Sequence, residues 1–368
     1  MINIVFVAGV RAHFIKLGAI KDGLKRLPEE LKKQCHFILI NAGQHYSDEL
    51  SKIYIDKFNL HFDYTLTYDN NDKTHIQALM FEKLTNCYND IIQKFGKIDF
   101  LVVMGDVATT FIAAFAGISM NNPLRIAHIE GGLKTIKNRP EEYYRNLTDE
   151  TAELIFSSEK IENVSYSGCF FTGDIMYDYL SHNDFYKKTK SVKITSVDDH
   201  IIDYSLEQDY ILASIHHKEN TKDCSRLINV FKELGKRKEK VIFITHPSIY
   251  KMINDHNIEV PSNFLLVKSL EYHTCMSLVY HSLFTLTDSG GIQRESYYLN
   301  KRCVVINDDA YWKCLLLNGN NRCAKDLKEI GSAIDWAYKN KDKSIPYRGE
   351  FGQGNAVELI IRKIIEKV

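Results

Sequence analysis

The chain has 368 residues, 45% of them hydrophobic, with 47 Lys and Arg balanced by 47 Asp and Glu. That length predicts two domains of ordinary size rather than one core. The formal charge of zero excludes a general attraction to nucleic acid or to a membrane surface, so an anionic ligand has to be held locally. The eight cysteines stand apart, with no C-x-x-C pair and no tight Cys/His grouping; neither a zinc site nor a disulfide framework is indicated, and a reducing cytoplasm is the expected setting.

In chain order, "MINIVFVAG" begins directly as a strand with no basic leader, and no later apolar run reaches membrane-spanning length. Short apolar runs follow: "HFILINAG", "FLVVMGD" and "RIAHIEGG", then "YILASIHH", "VIFITHP", "SLFTLTDSGG" and "RCVVIND". Each ends in a polar or glycine-rich junction and leads into a helical pattern, an alternation that predicts βαβ units and parallel sheets. Residues 178–207 are polar and charged with little that reads as a central strand, which places a boundary at their start. The expected class is α/β with two Rossmann-like doubly wound domains, 1–177 and 178–351, and "GNAVELIIRKIIEKV" supplies a closing helix (352–368) that returns to the first. Ligands of such domains bind outside the carboxyl ends of the strands, here in a central cleft.

Polar residues collect at those ends. In the first half they are Gly9, Arg11, His13 and Lys16, then Gly43, Gln44 and His45, then Gly105 and Asp106, then His128 and Glu130. In the second half they are His216, His217, Lys218 and Glu219, then His246, then Ser289 to Glu295. One such residue is a turn or a cap. Ten or more at successive ends, mixing carboxylates, imidazoles and cations, suit acid–base chemistry on an anionic substrate. In "TDSGGIQRES", Ser289 can cap a helix, Gly290 and Gly291 free the backbone, and the exposed N–H groups at the positive end of the helix dipole suit a phosphate seat, while the stretch reads equally as a capped helix start with a glycine turn. Plainer readings stand beside these. Asp106 can be the cap of "ATTFIAAFAG", Glu141 and Glu142 can be first-turn acids after Pro140, and Arg145 can pair with Glu141 at i, i+4. His217 and Lys218 read as a solvated rim, and His281 and Trp312 as packing residues.

The runs "GVRAHFIK" (9–16), "AGQHYSDEL" (42–50), "GDVATT" (105–110), "HIEGGLKT" (128–135), "RPEEYYRNLTDE" (139–150), "TGDIMYD" (172–178), "HHKEN" (216–220), "THP" (245–247) and "TDSGGIQRE" (287–295) resemble, in order and spacing, the non-hydrolysing UDP-N-acetylglucosamine 2-epimerase family. "FIK" and "GDIMYD" look more like its UDP-2,3-diacetamido-glucuronate branch. The resemblance implies the GT-B arrangement, a homodimer, and inversion at C2 of a UDP-2-acetamido sugar by elimination and re-addition of UDP through a glycal, with no cofactor and no metal. It implies Asp106, Glu130, Glu141 and His216 as catalytic residues. Arg11, Lys16, Arg145, His246, Ser289, Gly290, Gly291 and Glu295 then hold substrate, with Glu295 at the ribose. It also implies a second substrate site built partly by the "GQH" loop. Gln44 and His45 are kept there, while His217 and Lys218 replace an arginine pair, so weak or absent activation by substrate is expected.

The family pattern is broken in four places. "GTRPE" is "GVRAH", "HRRE" is "HHKE", "QEE" is "QRE", and "RDTTERPE" is "NDDAYWKC" (307–314), where Asn307, Ala310 and Tyr311 cannot reproduce the usual contacts. A hydrolysing epimerase, a GT-B glycosyltransferase and a non-catalytic nucleotide-sugar-binding protein therefore stand as alternatives.

Overall fold

The structure is a computed structural model that describes residues 1–43, 48–68, 75–133, 140–161, 166–217, 220, 224–307 and 312–368, with backbone alone for 48–51. Gln44, His45, Lys218, Glu219 and residues 308–311 lie outside the described residues. The chain forms two compact units, one of Met1–His182 with Gly349–Val368 and one of Asn183–Arg348.

The first unit is built on a seven-stranded parallel sheet: β1 (Ile2–Ala8), β2 (Cys35–Asn41), β3 (Tyr64–Thr65), β4 (Phe100–Met104), β5 (Ile126–Ile129), β6 (Leu154–Ser157) and β7 (Cys169–Phe171), in the order β3-β2-β1-β4-β5-β6-β7. β1 and β4 read as unbroken apolar runs because helices cover both faces of the sheet. Val5, Val7, Leu101 and Val103 pack with Leu84, Tyr88 and Ala113 of the helices Ile76–Phe95 and Ala108–Ile118.

The second unit opens with an antiparallel pair, β8 (Ser191–Thr195) and β9 (Ile201–Ser205), which occupies part of the stretch that lacks a central-strand pattern. Its main sheet is parallel: β10 (Tyr210–Ile215), β11 (Lys240–Thr245), β12 (Phe264–Val267), β13 (Thr285–Thr287), β14 (Cys303–Ile306) and β15 (Asn321–Ala324), in the order β12-β11-β10-β13-β14-β15. The helix Tyr272–His281 ends just before the quoted run "SLFTL", and β13 itself is three residues long. Periodicity alone does not separate a short buried strand from a buried helix segment.

Both sheets thus share one plan. β1 pairs with both β2 and β4, and β10 with both β11 and β13, so the strand order of each sheet turns outward in two directions from one central pair. The helix Ile175–His182 stays with the first unit, beyond the junction expected at 177, because its Asp178 is buried and bonded there. Arg26 donates to Asp178 Oδ1 at 2.8 Å and the Val357 N–H to Oδ2 at 3.0 Å, which joins the helix Arg11–Arg26 to the closing helix Ala356–Lys367. Gly173 completes the junction. Its φ is +88°, and a Cβ there would lie 2.6 Å from the Phe351 carbonyl oxygen.

Asp178→Ala leaves the buried Val357 N–H without its acceptor and takes from Arg26 one of its two carboxylate partners, Asp22 remaining. We expect a loss of about 2–4 kcal/mol of stability, read as a lower urea midpoint; an unchanged midpoint contradicts this role.

Candidate functional site

In the first unit the chain leaves β1 through Gly9 and Val10 into the helix Arg11–Arg26, and leaves β4 through Gly105, Asp106 and Val107 into the helix Ala108–Ile118. The two turns lie side by side where the strand order reverses, which is where doubly wound folds hold ligands. A Cβ on Gly9 would stand 2.8 Å from Thr109 Cγ2, so glycine is what lets them approach.

His13 joins the two turns. The Gly9 N–H donates to His13 Nδ1 at 3.3 Å, His13 Nε2 faces Thr110 Oγ1 at 3.3 Å, and that hydroxyl donates to the Met104 carbonyl at 2.7 Å. Nδ1 accepts, so Nε2 carries the proton and Thr110 receives it. The imidazole that replaces the family's acid is therefore a buried structural link.

One turn further on, Lys16 forms an ion pair with Glu130. Glu130 lies in the left-handed region with φ +62°, a conformation that costs a non-glycine residue roughly 1–3 kcal/mol and persists where its surroundings enforce it. Arg145 is buried, donates to Asp106 Oδ2 through its terminal nitrogen, and reaches the Glu130 carbonyl from Nε at 3.3 Å. Asp106 is not a helix cap: Val107 holds that position, with no side-chain cap bond. Asp106, Glu130, Lys16 and Arg145 are thus one group of two carboxylates and two cations.

His128 braces this group from behind. Its Nε2 donates to the Gly105 carbonyl at 2.7 Å, its Nδ1 lies 2.6 Å from Asp149 Oδ1, and Asp149 Oδ2 accepts from the Gly132 N–H at 2.8 Å. Both side chains are fully buried. Glu141 stands in the first turn of the helix Pro140–Thr151, exposed, and among the described residues it joins none of these pairs. Arg11 is exposed, its guanidinium 5.8 Å from the Tyr54 ring centroid.

The second unit repeats the plan with different chemistry. Asp288, at the end of β13, is wholly buried and binds the end of β10: Oδ2 accepts from the N–H groups of His216 at 3.0 Å and His217 at 2.9 Å, and from the Asn220 amide at 2.9 Å. His216 Nδ1 lies 3.1 Å from Oδ1. Burial pushes the carboxyl upward, but the hydrogen bond and charge of His216, then His217 and Asn220, outweigh it and hold Asp288 below the ordinary carboxylate range. His246 caps the helix Pro247–Asp255; its Nδ1 accepts from the Ser248 N–H at 3.2 Å, so Nε2 carries the proton.

Ser289 caps the helix Gly290–Tyr298, accepting from the Ile292 N–H. Gly290 and Gly291 both have negative φ, and among the described residues the nearest atoms to a Cβ on Gly291 would be Glu295 Oε2 and Ser289 Oγ, each at 3.8 Å. Neither backbone angle nor packing requires Gly291 to lack a side chain.

Two of the four departures from the family pattern prove to be one contact. Arg294, from "QRE", stacks 4.4 Å from the ring centroid of Trp312, from "NDDAYWKC", and Trp312 Nε1 donates to the Gly290 carbonyl at 2.8 Å. Trp312 is therefore more than a packing residue, since it pins the turn that begins the helix. Asp149, Asp288 and Asn220 are buried and hydrogen-bonded beneath these turns, a placement that residue-by-residue reasoning passes over. All three stand inside the recognised motifs, but an acid within a helix or beside a serine cap reads as exposed.

Polar groups gathered at the order reversal of two Rossmann-like sheets define an α/β enzyme acting on a nucleotide-bearing substrate. The family model described as UDP-N-acetylglucosamine 2-epimerase matches residues 29–365, and the chain belongs to that family. A UDP-N-acetylglucosamine 2-epimerase homolog of Methanococcus maripaludis is 30% identical over 370 residues, 98% of either chain. The UDP-2,3-diacetamido-2,3-dideoxy-D-glucuronate 2-epimerase of Pseudomonas aeruginosa is 27% identical, covering 96% of this chain and 97% of its own. The fold matches that of Methanocaldococcus jannaschii UDP-GlcNAc 2-epimerase, solved with UDP-GlcNAc and UDP, at a TM-score of 0.78 and 22% identity over 99% of this chain and 100% of that one. The chain is an isomerase of the UDP-sugar 2-epimerase kind.

Trp312→Phe keeps a ring beneath Arg294 and removes only the donor to Gly290, whereas Trp312→Ala removes both. We expect losses of about 1 kcal/mol for the first and about 3–5 kcal/mol for the second, measured by denaturant unfolding. Equal losses would mean that the ring makes no contribution.

Proposed function

We propose that the enzyme inverts C2 of a UDP-2-acetamido sugar by eliminating UDP to a glycal and adding it back on the other face. The C2 proton is not next to a carbonyl, so a carboxylate alone is too weak a base. Departure of the diphosphate builds positive charge at C1, which acidifies the C2–H bond, so the enzyme has to stabilise a leaving anion while a carboxylate takes the proton.

The pairing of Asp106 and Glu130 with Arg145 and Lys16 carries this reading, because it gathers two carboxylates that can exchange a proton with the sugar and two cations that hold them in place. Glu141 and His216 complete the proposed catalytic set. Arg11 offers a guanidinium to the diphosphate, His246 an Nε2 donor, and the turn capped by Ser289 the N–H groups of Gly290 and Gly291, the Ser289 N–H being held by Thr287 Oγ1, with Glu295 one turn on accepting from the ribose. The sugar is UDP-N-acetylglucosamine or a diacetamido relative of it. We further assign the enzyme to the cytoplasm, a setting that suits eight free cysteines, and to a homodimer, a state that suits the exposed Phe115 (44%) and Tyr143 (61%) on neighbouring helices.

Incubation with the correct UDP-sugar in deuterated water is expected to put deuterium at C2 while UDP stays attached. Asp106→Asn and Glu130→Gln should each slow that exchange by roughly two to four orders of magnitude, with UDP affinity in calorimetry kept. Free UDP with the inverted free sugar would indicate a hydrolysing enzyme instead. Consumption of donor only with an acceptor, C2 unlabelled, would indicate a glycosyltransferase.

The phosphate seat has its own test. Gly291→Ala fits the free protein, since no atom of the described residues comes nearer its Cβ than 3.8 Å, yet it fills the space a phosphate would take. Thermal stability should hold or rise slightly, while UDP affinity should fall by about tenfold or more, the equivalent of roughly 1.4 kcal/mol. Wild-type UDP affinity in this variant would remove the seat from that turn.

A further inference from the structure

Among the described residues one group of side chains has the composition and spacing of a cation site: His216, His217 and Asp288, whose ligand atoms all lie within 4.8 Å of one another. Two strand ends create it. Where the chain leaves β10 the alternation of side chains stops, so the rings of His216 and His217 come to lie 4.7 Å apart, inclined at 40°. The carboxylate arrives from the end of β13, 71 residues later in the chain than His217.

Asp288 is held ready. Three N–H donors fix Oδ2, while Oδ1 faces His216 Nδ1 at 3.1 Å, beside the His216 N–H at 3.1 Å. Two ligand atoms of a four-coordinate zinc ion, each about 2.0–2.1 Å from the metal, stand roughly 3.3 Å apart, close to this Nδ1–Oδ1 separation. The ion-pair partner His216 is 40% exposed, so the position opens to solvent.

We propose that His216, His217 and Asp288 bind one borderline divalent cation, of the Zn²⁺, Co²⁺ or Ni²⁺ class, and that this is a property of this chain rather than of its family. The cation takes the place of the proton shared by His216 Nδ1 and Asp288 Oδ1, which goes to solvent, and an imidazole nitrogen of His217 supplies a third ligand; the remaining positions take water or another oxygen donor. A nitrogen-rich set with one carboxylate favours these ions over Mg²⁺ or Ca²⁺, which take oxygen ligands. The family's "HRRE" puts an arginine where His217 stands, and a fixed cation repels a metal. His246, 6.4 Å from His216 between ring centroids, is left out because its Nδ1 accepts from Ser248 and its Nε2 bears the proton.

The test uses the full chain after treatment with a chelator. Titration with Co²⁺ should give visible absorption bands of imidazole-ligated cobalt that saturate at one equivalent, and Zn²⁺ should displace them. His217→Arg, with an unchanged circular dichroism spectrum, should weaken Co²⁺ uptake by at least about tenfold. Absence of stoichiometric Co²⁺ uptake by the wild type overturns the site, and this holds even if the variant fails to fold. Uptake by His217→Arg equal to wild type also overturns it. UDP calorimetry on the chelator-treated protein keeps the question separate from the phosphate seat: UDP binding without Co²⁺ uptake removes the metal site alone, and Co²⁺ uptake without UDP binding leaves it standing.

Discussion

A parallel sheet that winds outward in both directions from a central pair of strands leaves one place at its carboxyl edge where neighbouring loops diverge to opposite faces. Much of the proposed site depends on that constraint. In the first unit it falls between β1 and β4, and in the second between β10 and β13. The turns leaving those four strands carry Lys16, Asp106, His216 and the Ser289–Gly291 helix start. The two units have used the same opening for different work. The first fills it with paired charges, whereas the second offers N–H groups, imidazoles and a turn without side chains.

Paired charges at such an opening are useful only if they are held, and buried polar links do the holding. His13 ties the β1 turn to the β4 turn, His128 ties the β4 turn to Asp149, and Arg145 spans Asp106 and the Glu130 backbone. Each has its hydrogen-bonding groups matched to fixed partners, the condition under which a buried polar network rigidifies rather than weakens a core. The left-handed backbone of Glu130 is the other side of this. Its strain is tolerated because the Phe156 carbonyl accepts its N–H at 2.9 Å and Arg145 holds its carbonyl.

Much of the fold could be read from the sequence, for a definite reason. Strands buried on both faces show as continuous apolar runs, so β1, β2, β4, β5, β10, β11 and β14 are each visible in a quoted stretch. β3, β7 and β15 are short and partly exposed, and β13 is only three residues after a helix of similar composition. The site was legible as a set of strand-end residues but not as a set of pairs. Nothing in the spacing shows that Arg145 meets Asp106, or that Lys16 meets a glutamate 114 residues away, because those contacts exist only once parallel strands are in register. Spacing also hides the His216, His217 and Asp288 group, since local Cys/His counting looks for ligands close in sequence.

The departures from the family pattern look different once contacts replace letters. An acid-to-histidine change beside an alanine-for-proline change reads as damage, yet His13 satisfies both ring nitrogens and links two turns. The "RDTTERPE" segment has its second arginine where Trp312 stands, and "QEE" has a glutamate where Arg294 stands, so the cation has crossed to the helix and an aromatic ring has taken its former place. The stack between them, with the indole N–H on the Gly290 carbonyl, keeps the helix start anchored from the same side. Gly291 stands at the tip of this anchored turn with no described atom nearer than 3.8 Å to where its Cβ would be, and on that opening the proposed phosphate seat rests.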